Sequence, residues 1–462
     1  VSGGEIEVDV ESLYARRAKI HAREVRGFFA NLRNTAVIVL LGIYYLGPWL
    51  RWGTRQAILF DLPARQFHIL GLTLWPQDFV FLSWLLIMAA LLLFFATAVA
   101  GRVWCGYVCP QTVWTEIFVW MERLTEGNFN QRIKLDKAPW SAEKILRKAA
   151  KQLLWISFAA WTGFTFVGYF TPIHELGTSL LSLDLGGWET FWICFYSLAT
   201  YGNAGALREQ VCIYMCPYAR FQSAMFDRDT LIVSYDPVRG EPRGGRQRGT
   251  SPARRELGDC IDCQMCVQAC PTGIDIRKGL QYECITCAAC IDACDTVMDK
   301  VGYPRGLIRY TTQNAVQGKP RHILRPRIIL YGSVLLLLFA GFVVTLANRA
   351  AVRLDVIRDR NTLYRELPDG QIENVYQLKI LNKEDQPRRV RISVDGLPGA
   401  HLETAPAEIE LGPGALLDVV ARISVDRSAA PRGRADLNIS VENLGDGVVQ
   451  AERDARFFGP LQ

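Results

Sequence analysis

The sequence predicts a multidomain architecture: an α-helical membrane bundle of five spans, a cysteine-rich module inserted before the last span, and a C-terminal antiparallel β-sandwich. Three observations predict it. Five long uncharged stretches punctuate the chain before Arg349, eight cysteines crowd between Cys260 and Cys294, and from Ala350 onward there is no cysteine and little helical periodicity. With 462 residues, 50% hydrophobic and only 21% charged, the chain is too apolar for disorder as its main state. The net charge of +6 is too mild to mark a nucleic-acid binder. Thirteen cysteines, an odd number, exclude a fully paired disulfide scaffold.

The apolar stretches are Asn34 to Leu50, Phe79 to Gly101, Leu153 to Ile173, Phe191 to Leu207 and Ile328 to Asn348. A helix needs about 20 apolar residues to cross a bilayer core. The second and fifth meet this easily and the third nearly does. The first is short without its flanks. The fourth carries Thr200, Gly202, Asn203 and Gly205, polar and small residues of the kind found at helix contacts or cavities.

Charge sets the expected orientation. Arg16, Arg17, Lys19, Arg23, Arg26 and Arg33 precede the first span, so the N-terminus is expected in the cytoplasm. Nine Lys or Arg lie between Arg102 and Lys151, and 18 between Arg208 and Arg327, against three between Arg51 and Asp78 and none from His174 to Gly187. Five spans then place the C-terminus outside. The Arg-, Gly- and Pro-rich run VRGEPRGGRQRGTSPARRE reads as a solvated linker, with contact to anionic lipid headgroups as the alternative.

After Ala350, runs such as VYQLKIL, RRVRISVDGL and RADLNISVEN alternate apolar with polar residues and are broken by Gly, Pro, Asn and Asp. That pattern predicts short antiparallel strands. The chain thus divides into a cytoplasmic N-terminal segment (1–33), a four-helix membrane region (34–227), a cytoplasmic cysteine module (228–327), a fifth transmembrane helix (328–348) and a periplasmic domain (349–462).

Cys260, Cys263, Cys266 and Cys270 follow C-x2-C-x2-C-x3-C, and Cys284, Cys287, Cys290 and Cys294 repeat it. This is the bacterial ferredoxin pattern for two [4Fe–4S] clusters, in which the fourth cysteine of each run reaches the other cluster. Cys260, Cys263, Cys266 and Cys294 are therefore expected on one cluster, and Cys284, Cys287, Cys290 and Cys270 on the second. Zinc also binds C-x2-C pairs, but it does not need the doubled pattern. Asp295 stands where the usual run has Pro.

Four further cysteines form two matched pairs. Cys105 and Cys109, and Cys212 and Cys216, each read C-x-Y-x-C-P, with Tyr107 and Tyr214 at equivalent places. Each pair follows an inward-running span. Residues four apart share a helix face, and Pro after the second cysteine suits the first turn of a following helix. Cys109 and Cys216 are thus expected at helix N-termini, where the dipole, with Arg102 and Arg208 nearby, would favour thiolate. Paired thiolates make a soft site suited to Cu(I). A redox dithiol, or copper bound during reduction, is the reading these pairs favour, with a third metal cluster or a structural role as the alternatives. Cys194, alone in the fourth stretch, reads as a small packing residue.

The histidines are His21, His68, His174, His322 and His401. No C-x-x-C-H motif is present, and the spans show no apposed pair for haem b. His68 and His174 fall on the expected outer side and read as interfacial residues, with a quinol or metal site as the alternative.

The two C-x3-C-P motifs, the double ferredoxin run, VMDKVGYPRGLIRYTTQN and the outer β-sandwich together resemble the CcoG family, also called FixG or RdxA. The resemblance covers essentially the whole chain and accommodates Asp295. It implies an immunoglobulin-like C-terminal domain, a bacterial inner-membrane location and a role in assembling cbb3-type cytochrome c oxidase. It also implies an oxidoreductase that converts Cu(II) to Cu(I), with Cys105, Cys109, Cys212 and Cys216 at the copper site. The partners it implies are a copper-exporting P-type ATPase, a cytoplasmic copper chaperone and oxidase assembly factors, with no nucleic acid, and with a homodimer left open. Two other functions compete: a quinol-linked electron-transfer subunit, and a non-catalytic copper scaffold whose β-sandwich recruits partners.

Overall fold

Among the described residues, three helical stretches are long and apolar enough to cross a membrane: Phe28–Trp49, Pro76–Ala100 and Pro326–Ala347, with mean hydropathies of 1.3, 2.7 and 2.5. They contain all but the last residue of the first, second and fifth stretches picked out above. The computed structural model describes residues 20–245, 257–359, 362–384, 386–404, 406–445 and 447–460, and only the backbone of Arg220, Ser223 and Ala224. Arg16, Arg17 and Lys19 of the basic N-terminal segment, and 246–256 of the Arg-rich linker, lie outside the described residues.

The helices are α1 (Phe28–Leu46), α2 (Phe79–Ala100), α3 (Val103–Tyr107), α4 (Pro110–Glu126), α5 (Phe129–Lys137), α6 (Ala142–Val167), α7 (Ile173–Leu181), α8 (Gly187–Thr200), α9 (Pro217–Met225), α10 (Pro237–Gly240), α11 (Met265–Gln268), α12 (Ala289–Val301), α13 (Gln313–Val316) and α14 (Pro326–Ala347). The third and fourth stretches lie in α6 and α8. The first turns of α6 carry Glu143, Lys144, Arg147, Lys148 and Lys151, so its apolar remainder is shorter than a full span. Helix α8 has 14 residues, about 21 Å at 1.5 Å per residue, before the chain widens into a π-helical turn at Tyr201–Leu207. Of the polar and small residues noted in that stretch, Gly202, Asn203 and Gly205 occupy this turn and Thr200 ends α8. Cys194 is exposed on α8 rather than packed, because α8 buries no residue of its own.

The chain divides into two units. One comprises 1–47, 88–167 and 177–335, and the other 48–87, 168–176 and 336–462. In the first, α4, α6 and the π turn meet around Phe118, Met121, Trp155, Ala159 and Ala204. Gly163 lets α6 approach α8 closely: a Cβ there would collide with the Ile193 carbonyl and Ser197. The same unit holds the cysteine module, closed by an antiparallel ribbon. The ribbon strands are β6 (Ile232–Tyr235) and β7 (Ile308–Thr311), with Tyr235 opposite Ile308. Val233, Ile276, Ile291, Met298, Leu307 and Ile308 form its apolar interior.

In the second unit, short strands β1 (Arg51–Trp52), β2 (Arg55–Gln56), β3 (Ile58–Asp61), β4 (Gln66–Ile69) and β5 (Leu72–Leu74) make two small antiparallel sheets. The C-terminal part is the sandwich expected from the alternating runs. Its strands are β8 (Val352–Arg358), β9 (Arg365–Glu366), β10 (Ile372–Asn382), β11 (Arg388–Asp395), β12 (His401–Thr404), β13 (Glu408–Leu411), β14 (Leu416–Val425), β15 (Arg434–Asn443) and β16 (Val449–Phe458). One sheet runs β12-β14-β10-β8 with β9 beside β10, and the other β13-β11-β15-β16. Side chains alternate across each strand, so Val419, Ala421, Ile423 and Val425 of β14 all point inward. Tyr376 of β10 crosses between the sheets and donates its hydroxyl to the Arg456 carbonyl at 2.8 Å. At the start of α2, Asp78 pairs with Arg349 (2.6 Å) and Lys383 (2.9 Å), all three largely buried.

Candidate iron–sulfur and thiol site

The two cysteine runs fold as two copies of one local design. In each, the residues two and four places after the first cysteine hold positive φ without being glycine. They are Asp262 (55°) and Gln264 (57°) in the first run, and Thr286 (50°) and Ala288 (58°) in the second. This conformation is costly for L-residues, and for the β-branched Thr286 it is an outlier. Turning the backbone this way aims successive N–H groups into one concavity, a cradle for an anionic group. A short helix follows each turn, α11 in the first run and α12 in the second.

Cys260, Cys263, Cys266 and Cys294 line one small pocket with Tyr235 and Met298. Cys270, Cys284, Cys287 and Cys290 form a second set, and the charge of Cys270 is felt at the other three thiols. Burial pushes the thiols of Cys266, Cys284 and Cys294 up to about 12. Such thiols become thiolates only beside strong positive charge, which a bound iron centre provides. The Thr286 hydroxyl is buried without a hydrogen-bond partner, while its N–H reaches the Cys284 sulfur at 3.4 Å. Cysteine donors, inward amides and an unsatisfied hydroxyl all suit a sulfide-bearing cluster.

The four remaining thiols assemble at the ends of four short elements. Cys109 caps α4 and Cys216 caps α9, each followed by Pro at the first helical position. Cys105 lies on α3, and Cys212 in a π-helical turn at Val211–Met215. Cys105 senses the charge of Cys109, Cys212 and Cys216, so the pairs share one neighbourhood. Among the described residues, no three His, Cys, Asp or Glu side chains converge on a single metal ion.

The thiolate expected at the N-terminus of α4 is not found, and its neighbours are raised as well. Burial, and next the adjacent Cys109, push Cys105 up to about 12 despite Arg102. Cys212 reaches about 12 for the same primary reason, followed by Cys109 and Cys216. Burial also raises Cys109, although the backbone N–H groups of Gln111 and Thr112 point at it. Dipole donors are present, but desolvation outweighs them. Arg208 does not help, because its guanidinium turns to Glu122 at 2.8 Å.

The thiol site lies directly on the second cysteine set. Gly106 packs so tightly there that a Cβ would sit 2.7 Å from the Ile285 oxygen and 2.9 Å from Cys287 Cα. Cys105 packs against Ile285, Cys287 and Ala289. Tyr107, buried, reaches the Cys287 carbonyl at 3.4 Å and the Tyr310 hydroxyl at 3.2 Å. Its sequence counterpart Tyr214 is 61% exposed, so the two motifs are not equivalent in space. Gln222, fully buried, accepts from the Cys105 thiol at 3.3 Å. Sequence reasoning missed Gly106 and Gln222, since neither belongs to a spaced pattern of ligand types. His68 and His174 enter separate contacts, His68 with Thr73 at 3.0 Å and His174 edge-on to Trp49.

A 4Fe-4S dicluster domain model matches 207–313, a 4Fe-4S binding domain model matches 80–127, and the model for the IG-like fold at the C-terminus of FixG matches 342–460. The nitrogen fixation protein FixG of Rhizobium meliloti is 40% identical over 430 residues, covering 85% of this chain and 82% of that protein. Protein RdxB of Cereibacter sphaeroides is 41% identical, with 98% of each chain covered. Protein RdxA of the same organism is 41% identical over 92% of this chain and 96% of its own. With its cluster-binding cysteines, apolar helices and IG-like C-terminal domain, the chain belongs to the FixG/RdxA family of iron–sulfur oxidoreductases.

Proposed function

We propose that the protein is a membrane-bound cupric reductase that converts Cu(II) to Cu(I) for delivery during cbb3-type oxidase assembly. The observation that carries this reading is the backbone contact of Gly106 with Ile285 and Cys287, which puts the four-thiol site against the second cluster-binding set. Cys260, Cys263, Cys266 and Cys294 would hold one [4Fe–4S] cluster, and Cys270, Cys284, Cys287 and Cys290 the other. When bound, these clusters supply single electrons, the stoichiometry that Cu(II) reduction requires.

The chain's own residues do the rest. Cys105, Cys109, Cys212 and Cys216 supply sulfur donors, which prefer Cu(I) over Cu(II). Burial keeps Cys105, Cys109 and Cys212 protonated until copper arrives, so binding releases protons. Gln222 holds the Cys105 thiol, and the Arg102 charge, felt at Cys105 and Cys212, offsets the negative charge of the bound thiolates. The basic loops support an orientation with the cysteine module in the cytoplasm and the IG-like domain in the periplasm, reached through five spans, α6 and α8 supplying the third and fourth. On this reading a P-type copper exporter and a copper chaperone handle the product, and the IG-like domain docks assembly partners. Removing 354–462 should then leave cupric reduction intact in vitro and impair oxidase assembly in cells; loss of both would refute the docking role.

The test uses cluster-loaded protein reduced with dithionite and then desalted free of it, so that only the protein supplies electrons to Cu(II). Cys109→Ser with Cys216→Ser should cut Cu(II) reduction on the order of a hundredfold while both cluster EPR signals persist. Unchanged reduction would refute the copper site. A second reading assigns the four thiols to a third cluster, favoured by the 4Fe-4S binding domain match across Cys105 and Cys109. It predicts about twelve rather than about eight iron atoms per chain, falling to about eight in the double variant.

A further inference from the structure

Beside the thiol site, the first unit contains a cavity of about 140 Å³. It lies among the described N-terminal residues, α4 and the cysteine loops. Five arginines line it, Arg23, Arg33, Arg123, Arg132 and Arg208, against the two carboxylates of Glu116 and Glu209. Cys212 and Cys287 also reach its wall.

The positive charge is under-compensated. Arg23 donates to the Gln268 amide oxygen at 3.1 Å and Arg33 to the Cys287 carbonyl; among the described residues neither meets a carboxylate. Glu122 serves three cations at once, Arg208 at 2.8 Å, Arg132 at 3.4 Å and Lys151 at 3.9 Å. Arg132 is 1% exposed, yet its Nε has no hydrogen-bond partner, while Arg123 pairs with Glu24 and Glu116 at 3.5 Å each. Desolvation, together with the like charges of Arg123 and Arg208, pulls Arg132 below its ordinary value even though Glu122 opposes this. Buried donors without acceptors are costly, and the planar guanidinium fork matches carboxylate and phosphate oxygens.

We propose that this cavity binds a small soluble polyanion through its carboxylate or phosphate oxygens, next to Cys212. Resting on the copper reading above, the substrate then reaches the thiols as an anionic copper complex, because the arginines repel bare Cu(II).

The test is calorimetric titration of metal-free citrate into the cluster-loaded full chain in phosphatidylcholine nanodiscs. The expected result is saturable binding that weakens as salt rises. Arg23→Gln with Arg123→Gln should weaken it at least tenfold, and Arg123→Gln alone by a smaller factor. The exposed Lys319→Gln should leave it unchanged, and unaltered cluster absorbance shows that each variant is folded. Absent binding, or equal affinity in the double variant, overturns the proposal. Nanodiscs containing phosphatidylglycerol separate the two sources of oxyanion. Citrate binding retained there supports the soluble ligand; binding abolished there assigns the cavity to lipid phosphate and overturns it. Copper takes no part in this titration, so its failure leaves the cupric-reductase test standing, and the converse also holds.

Discussion

Asp292, between the cluster-binding Cys290 and Cys294, caps the first helix of the membrane region. Its carboxylate accepts the Ala30 N–H at 2.7 Å and the Phe29 N–H at 3.3 Å. Gly27 lies so close beneath that a Cβ there would collide with the Asp292 side chain. One residue thus serves both the N-terminus of α1 and the body of the cysteine module. Asp292→Ala should cost about 1–2 kcal/mol, a lost cap. Asp292→Asn, which keeps an acceptor and loses the charge, should cost about 0.3–1 kcal/mol. Thermal melting in detergent, followed by cluster absorbance, reads both; an alanine variant melting like the parent would refute the cap.

Gly106→Ala is expected to separate the thiol site from the second cysteine set. The new methyl would meet backbone rather than a flexible side chain, so the chain itself must shift, at about 1–3 kcal/mol. Both clusters should remain countable by iron analysis, while the EPR line shape of the second cluster changes and copper reduction slows. Unchanged spectra and rates would mean that the contact is dispensable.

Thiol titration gives a pH signature. With Cys105 and Cys212 raised to about 12, the thiolate fraction at pH 8 is about one in 10⁴. Iodoacetamide should therefore modify them on the order of a thousandfold more slowly than a free thiol at pH 8. The rate should climb tenfold per pH unit until the pH approaches their titration point. Peptide mass spectrometry would measure it in copper-free protein. Fast labelling at pH 8 would contradict the burial argument, and a slow, pH-independent rate would identify the thiols as already ligated.

Asp78 offers a test in the second unit. Removing its carboxylate by Asp78→Ala leaves Arg349 and Lys383, about 10% exposed each, as buried unpaired cations. Breaking a buried pair in this way costs about 3–5 kcal/mol. Faster proteolysis between Leu346 and Val352 would report the loosened join. A fully resistant variant would show that the pairs carry little.

The two cysteine sets were legible because cluster chemistry dictates spacing: eight cysteines in two identical runs leave few alternatives. The sandwich was legible because period-two alternation survives along β10, β11, β14 and β15. The C-x3-C-P motifs correctly located helix starts at Pro110 and Pro217, yet the acidity of the Cys109 thiol was misjudged. Sequence shows the dipole of the next helix but not the burial that outweighs it. Hydropathy alone did not reveal that charge would fill the first turns of α6 or that α8 would stop at Thr200. Gly106 looked like an ordinary spacer, since close approach to Cys287 depends on contacts some 180 residues away.

Four non-glycine residues held at positive φ around the cysteines also bear on how the protein matures. Each such residue costs about 1 kcal/mol or more, and the expense recurs at Asp262, Gln264, Thr286 and Ala288. Bonds to iron and sulfide repay it only when the cradle is filled. An iron-starved chain would therefore relax all four turns together, releasing Asp292 from the end of α1 as it did so. Iron supply would then act as a checkpoint on the finished membrane protein, distinguishing complete molecules from those fit for degradation before any copper is handled.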